Sequence, residues 1–199
     1  MKKIIQEIRQ LYAEPIRFYH NLNHLDYLNA KLKQYSKHVC LSNSKTVELA
    51  ILFHDASYNI WEMSGQNELE SANLLMYYSD QLLKYGFNKD HIVEAYDMII
   101  ASAHHSEYRP ELSEETKFFL DLDLLSLSES YSVFEYNNDQ LYLENKPRFP
   151  NYDDFRYGSN SFLIKLLLRD KIYYSYCFDG REEIARKNIK KYVGLDQYD

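Results

Sequence analysis

A histidine and an aspartate stand side by side in the segment AILFHDASY, at the end of an apolar stretch with helical spacing. On a helix, His54 and Asp55 would point about 100° apart, so both reach one ion only if it lies in a groove beside the turn. A nitrogen and an oxygen ligand of this kind suit zinc, manganese, iron or magnesium. The doublet therefore predicts a divalent metal site.

Two further segments carry side chains that could complete this site. The segment YHNLNHL places His20 and His24 one helical turn apart on a common face. The segment FFLDLDLLSL sets Asp121 and Asp123 in an otherwise apolar helix, where burying a carboxylate without a partner would cost several kcal/mol. Because these two aspartates would point about 200° apart on a helix, only one of them can face the ion. The spacing leaves open which one does.

The elements that must position these side chains are helices. Apolar residues recur at helical spacing along almost the whole chain, and strict alternation is rare. We therefore predict an all-α protein, with helices over about 15–37, 44–55, 67–86, 88–104, 113–127, 131–144, 160–178 and 180–193. Pro147 and Pro150 predict an irregular segment over 145–158, either at the mouth of a functional site or at an ordinary surface crossing.

The composition predicts the class of protein. The chain has 199 residues and a net charge of −7, and no stretch is rich in glycine, serine or proline. One domain is expected, and a general nucleic-acid binder is not, because such proteins present a basic surface to phosphates. Cys40 and Cys177 lack metal-ligand spacing, and we expect them to be buried free thiols. No signal peptide or membrane anchor is recognisable, so we expect a cytoplasmic protein.

Several motifs together resemble a known family. The strings RFYHNLNHL, LAILFHDASY, NELESA, ASAHH, FLDLDLLSL and ARKNI are similar to the HD superfamily, and within it to the group described as predicted metal-dependent phosphohydrolases. They extend from Arg17 to Asn188. The resemblance implies a single-domain HD-type helical bundle over 1–199, with a core over 15–130 and additional C-terminal helices over 131–195. It also implies one divalent ion, Mn, Zn, Mg, Ni or Fe, with a second as an option.

The resemblance assigns roles to individual residues. The implied metal ligands are His24, His54, Asp55 and Asp123, with Asp121 as the alternative to Asp123. Asp123 is preferred because DLL occupies the place of the usual aspartate in relatives. The implied catalytic residues are Glu68, which could orient water, and His105, which could hold a phosphate or a second metal. The implied substrate-binding residues are His20, His104, Arg17 and Arg186.

Some of these residues have ordinary structural interpretations as well. Glu68 could be a first-turn acid that the helix dipole favours. Arg186 could pair with Glu182 or Glu183 on its own helix. His20 could simply hydrogen-bond a neighbour. These alternatives are open at the level of sequence.

The function that the resemblance implies is that of a phosphohydrolase, a phosphomonoesterase or phosphodiesterase. It would hydrolyse a small phosphoester, such as a nucleotide, with metal-activated water. The implied partner is this small phosphorylated substrate and neither a nucleic-acid duplex nor a membrane; an oligomer stays open. No substrate is named by the motifs.

Two other functions compete with hydrolysis. Relatives tend to carry arginines where this chain has Phe134 and Ser159. The chain could therefore be a metal-containing ligand-binding module with weak catalysis or none. The second alternative is a di-iron oxygenase of HD type, for which His20, His104 and His105 would supply additional nitrogen ligands.

Overall fold

The helices that carry the candidate site residues pack around one central helix. The structure is a computed structural model that describes residues 1–37 and 44–196. Over these residues the α-helices are α1 (Lys2–Leu11), α2 (Leu22–Tyr35), α3 (Ser44–Phe53), α4 (Gln66–Tyr77), α5 (Ser79–Lys84), α6 (Lys89–Ser102), α7 (Glu114–Leu124), α8 (Tyr131–Asn145), α9 (Tyr152–Leu167) and α10 (Asp179–Val193). Short 3-10 turns span Leu125–Ser128 and Tyr176–Phe178. The described part of the chain contains no strand, which confirms the all-α prediction.

Helix α3 lies at the centre of the bundle. It contacts α1, α2, α4, α6 and α7. Its sequence is apolar on nearly every face, and a helix of that kind is stable only when it is buried on all sides. Val47, Ala50, Ile51 and Phe53 are completely buried. The residues that follow α3 therefore emerge inside the bundle, between α2 and α7.

Helix α7 packs against α2, α3 and α6. Ser113 begins it, because its hydroxyl accepts the N–H of Thr116. Phe118, Phe119 and Leu122 are completely buried against the central helices. The 3-10 turn that follows α7 packs against α10, so the C-terminal helices are joined to the core at the end of α7.

Helices α8, α9 and α10 cover one side of the site. Helix α9 contacts both α8 and α10. Phe134 is buried on α8, where its ring stacks against Tyr131 and meets the edge of Tyr192. A core position of this kind has no room for an arginine head group, so Phe134 serves packing.

The predicted helix over 15–37 is wrong in its first part. Residues 15–21 form turns, and α2 begins only after Asn21, whose side chain accepts the N–H of Asn23. The predicted helix over 67–86 is divided at Tyr78 into α4 and α5. Helix α5 ends at Lys84, just before the predicted stop at Gly86. The left-handed backbone of Gly86 cannot continue the helix.

The C-terminal predictions need a larger correction. Asn151 caps α9, so the irregular segment expected over 145–158 is confined to 146–151. The helix expected over 160–178 ends at Leu167. Beyond it, Glu182 accepts the N–H groups of Ile172 and Tyr173. Side chains that take backbone N–H groups in this way replace helical carbonyls as acceptors, and the chain leaves the helix.

None of the described helices combines the length and the apolar character that a bilayer span requires. Cys40 lies outside the described residues. Cys177 is a free thiol, as predicted, but it is of intermediate exposure and not buried.

Candidate metal centre

The histidine and aspartate doublet forms the turn that ends α3. The N–H of His54 still donates to the carbonyl of Ala50, at 2.9 Å, so His54 continues the helical path. The N–H of Asp55 donates to the hydroxyl of Tyr12, at 3.1 Å. Tyr12 is completely buried and its hydroxyl also donates to the carbonyl of Leu52. One tyrosine thus holds both sides of the turn.

Arg17 fastens the same turn from the loop before α2. Its guanidinium donates to the carbonyls of Asp55 and Ala56, and to that of His20. Its remaining nitrogen pairs with Glu14 at 3.1 Å. The side chain is buried, with all three of its nitrogens bonded to protein. These bonds hold the turn at His54 and Asp55 and leave no guanidinium nitrogen unbonded, which argues against the predicted role of Arg17 in substrate binding.

Four of the predicted ligands converge. The Nε2 atoms of His24, on α2, and His54 lie 3.2 Å apart. The Nε2 atom of His54 lies 2.9 Å from Oδ2 of Asp55, and that of His24 lies 3.3 Å from Oδ1 of Asp123 on α7. The two remaining histidine–carboxylate distances are both 3.6 Å. Each of the two carboxylates therefore lies within 3.6 Å of both imidazoles.

The chemistry of this donor set fits a divalent cation. The Nδ1 atom of His54 lies 2.9 Å from the carbonyl of Ile51, which can only accept, so Nδ1 carries the proton. In the neutral ring Nε2 then presents its lone pair to the cluster. Ligand atoms of His24, His54 and Asp55 lie within 4.8 Å of one another. Nitrogen and oxygen ligands in a buried group of this kind suit zinc, manganese, iron or nickel.

Opposite charges dominate the electrostatics of the cluster. Burial alone would raise the pKa of Asp123, but His54 and His105 hold that pKa well below its usual range. Burial would lower the pKa of His54, but Asp55 and Asp123 raise it well above its usual range. Without a metal, the two carboxylates therefore stay ionised and His54 holds a proton that balances them. A metal ion would have to displace this proton from Nε2 before His54 could bind it.

His105 follows the end of α6 and forms a hydrogen bond with Asp123. Its Nε2 lies 2.8 Å from Oδ2 of Asp123, the oxygen that does not face His24. Its backbone carbonyl accepts from Arg169, whose guanidinium lies near the rings of Tyr108 and Tyr174, which stack on each other. His105 thus orients a ligand. Sequence reasoning did not single out Arg169, because only the fold brings it beside His105.

His20 lies beside the cluster in an ion pair with Glu144. The carboxylate of Glu144, on α8, faces Nδ1 of His20 and accepts the backbone N–H groups of Tyr19 and His20, at 2.9 and 3.0 Å. Burial lowers the pKa of His20, but Glu144 and Asp55 outweigh it and raise the pKa to about 9. Glu144 is a site residue that sequence reasoning missed, since nothing near it in the chain marks it as buried.

A cavity of about 340 Å³ opens beside the cluster. Its polar wall is formed by His20, His105 and Asp123 together with Tyr19 and Ser126. Its apolar wall and its rim consist of Leu124, Leu127, Leu141, Phe155, Phe162, Gly158 and Ser159. The cavity therefore joins three of the candidate site residues to the face of α9, although α9 begins within the segment predicted to be irregular.

A second cavity, of about 200 Å³, lies on the His24 side of the cluster. It shares Tyr19 and Ser126 with the larger cavity, and the hydroxyls of these two residues lie 3.0 Å apart. Each cavity is lined by one of the four converging residues, the smaller by His24 and the larger by Asp123. Because His20 and His105 also line the larger cavity, it is the better candidate for a substrate.

Asp121, the alternative ligand, has a structural role instead. Its two carboxylate oxygens accept the N–H groups of Tyr174 and Ser175, at 2.8 and 2.7 Å. Burial raises the pKa of Asp121 to about 7, against the effect of these two donors. The carboxylate points away from the histidines because it lies two residues from Asp123 on one helix. Of the two aspartates, Asp123 faces the histidines and Asp121 does not.

The other predicted residues lie apart from the cluster. His104 is half-exposed and its Nδ1 lies 3.1 Å from Glu107. Arg186 pairs with Glu182 at 2.7 Å and donates to backbone carbonyls near the end of α9. Glu68 is in the first turn of α4, and no hydrogen bond within the described ranges joins it to the four converging residues. These positions correct the substrate-binding roles predicted for His104 and Arg186.

The comparisons with protein-family models, curated proteins and solved structures give no match. The resemblance to the HD superfamily therefore stays a prediction from the motifs. The fold and the site define an all-α protein in which two buried histidines and two partly buried aspartates cluster beside a cavity.

Proposed function

We propose that this protein is a metal-dependent phosphohydrolase acting on a small phosphoester. The observation that carries the proposal is the convergence of His24, His54, Asp55 and Asp123, from three separate helical segments, at the edge of a cavity. Burying two carboxylates and two imidazoles together without a shared cation would be costly. A divalent ion would supply activated water near neutral pH and would polarise the phosphoryl group.

Residues around the four proposed ligands would orient them and would bind the phosphoryl group. His105 keeps Asp123 oriented, as outer residues of metal sites commonly do. His20, held by Glu144, presents a cationic imidazole to the cavity, where a phosphoryl oxygen would lie. The hydroxyls of Tyr19 and Ser126 add hydrogen-bonding groups to the same wall.

The di-iron alternative has less support. Of the nitrogen ligands that it would need, His104 pairs with Glu107 outside the cluster and Nε2 of His105 bonds Asp123. Within the described ranges one three-residue group, that of His24, His54 and Asp55, has ligand geometry. We therefore propose one ion and not two.

The test is a comparison of metal content and ester hydrolysis. Protein stripped with a chelator would be reloaded with manganese, zinc, nickel, iron or magnesium, and the bound metal measured by elemental analysis. Hydrolysis of 4-nitrophenyl phosphate and of bis(4-nitrophenyl) phosphate would then be followed. We expect one equivalent of metal and measurable turnover, both lost in His54→Ala.

His104→Ala is the matched control, because His104 is a half-exposed histidine outside the cluster. It should bind metal and turn over esters as the unaltered protein does. Failure of the unaltered protein to bind any of the five metals would overturn the proposal. Metal binding without turnover of either ester would instead favour the ligand-binding module.

A further inference from the structure

The larger cavity beside the metal centre has an apolar side. Leu124, Leu127, Leu141, Phe155 and Phe162 line it, and all five face the same space as His20, His105 and Asp123. An apolar wall opposite a few polar groups is the usual arrangement of a small-molecule site. The apolar residues would contact the part of a ligand that does not touch the metal.

The charges around this cavity are nearly balanced. No lysine or arginine is among the residues of the described chain that line it. The positive charge of His20 is paired with Glu144, and His105 is bonded to Asp123. A divalent ion would itself be offset by Asp55 and Asp123. The cavity therefore lacks the cations that would compensate a chain of phosphates, and unpaired buried charge is strongly unfavourable.

From these two features we propose that the substrate is a small ester with a single phosphate group and an apolar alcohol or phenol. The phosphate would lie toward the metal centre and His20, and the apolar group against Phe155, Phe162 and the leucines. A nucleoside polyphosphate would be a poor substrate. This inference rests on the proposed hydrolase function and names its substrate class.

The reaction is balanced by water alone. The oxygen of water forms a bond to phosphorus as the bond between phosphorus and the alcohol oxygen breaks. The alcohol oxygen keeps the electron pair of the broken bond and takes a proton, so the products are the free alcohol and inorganic phosphate. No oxidant, reductant or second substrate is needed.

Gly158 is the position at which the apolar side of the cavity can be altered by substitution. It lies on α9 among the residues that line the cavity, and a Cβ added there meets nothing within 4 Å. Its backbone is not left-handed, so a larger residue fits the helix. Gly158→Leu should therefore fill part of the cavity without unfolding the protein. Gly180→Leu is the matched control, because Gly180 on α10 is equally open and does not line the cavity.

The first experiment compares substrates on the manganese-loaded protein. We expect kcat/KM for phenyl phosphate and hexyl phosphate to exceed that for glycerol 3-phosphate and ATP by about tenfold or more, the usual scale for filling an apolar pocket. Gly158→Leu should remove about tenfold from the phenyl phosphate value and Gly180→Leu should not. Equal or better hydrolysis of ATP or of glycerol 3-phosphate would overturn the inference and leave the hydrolase proposal intact.

The second experiment needs no turnover. Calorimetry would measure binding of phenylphosphonate and methylphosphonate, which cannot be hydrolysed, to the manganese-loaded protein. We expect the phenyl compound to bind about tenfold more tightly and Gly158→Leu to abolish the difference. Equal affinities in the unaltered protein would overturn the apolar assignment. If the phenyl compound binds more tightly but no ester is hydrolysed, the apolar assignment is supported and the hydrolase proposal is contradicted.

Discussion

The Nε2 atoms of His24 and His54 lie 3.2 Å apart, although 30 positions separate the two residues. Two imidazole nitrogens at this distance must share a proton or a cation, because two facing lone pairs repel each other. The carboxylates of Asp55 and Asp123 border the same pair. The relationship makes metal binding the central property to be tested.

Metal addition should stabilise the folded protein. A ligand that binds only the folded state at 100 times its Kd adds about 2.7 kcal/mol to the free energy of unfolding. Calorimetric scans of chelator-treated protein with and without manganese should show this as a higher Tm. His54→Ala should remove the increase, whereas His104→Ala should keep it. An increase that survives in His54→Ala would place the ion elsewhere.

Asparagine substitutions should separate the two neighbouring aspartates. Asp123→Asn should lose metal binding, since it removes a charged ligand oxygen near His24. Asp121→Asn should keep the metal but lower the free energy of unfolding by about 1–3 kcal/mol, because one backbone N–H of Tyr174 or Ser175 loses its acceptor. Elemental analysis and urea titration measure the two effects. The reverse pattern would make Asp121 the ligand.

His105→Ala should weaken the metal site without destroying it. The substitution leaves Oδ2 of Asp123 without its 2.8 Å partner. Loss of such an outer contact typically costs about 10–100-fold in metal affinity. Competition with a chromophoric chelator measures the affinity, with His104→Ala as the neighbouring control. An unchanged affinity would show that Asp123 needs no support from His105.

Arg17→Lys should destabilise the fold and not the substrate complex. A lysine cannot reach the carbonyls of Asp55 and Ala56 together, so we expect a loss of about 1–3 kcal/mol in the free energy of unfolding. Arg9→Lys is the control, because Arg9 forms an ion pair at the surface with Asp26. A raised KM with unchanged stability would instead assign Arg17 to substrate binding.

Cys177 should react slowly with alkylating reagents near neutral pH. Burial, together with the charge of Asp121, raises the pKa of this thiol to about 12. Only the thiolate reacts, so the labelling rate should rise about tenfold for each pH unit below that pKa. Mass spectrometry of peptides after iodoacetamide treatment distinguishes Cys177 from Cys40. Rapid labelling at pH 7, equal to that in urea, would contradict the expectation.

The parts of the site that were predictable from sequence are those with local signals. The doublet His54 and Asp55 ends an apolar stretch. This pattern needs only the helical period to be recognised. The expectation that His20 and His24 lie one turn apart on the same helix is wrong, because His20 precedes α2. The all-α class follows from the same period repeated along the chain, and the structure confirms it.

Other features depended on contacts between distant segments. Asp121 and Asp123 are equivalent in local sequence, and only the backbone of Tyr174 and Ser175 on one side and the histidines on the other decide their roles. Glu144 is a site residue because α8 brings its carboxylate to His20. Neither relationship has a local signature.

The sequence by itself determined that the chain forms helices and which residue types could hold a metal, because both are properties of short spacing. The tertiary structure alone decided that Arg17 braces the turn at Asp55, that α9 supplies the apolar side of the cavity, and that Asp123 and not Asp121 faces His24. These outcomes depend on how helices pack, and packing joins residues whose separation along the chain carries no periodic signal.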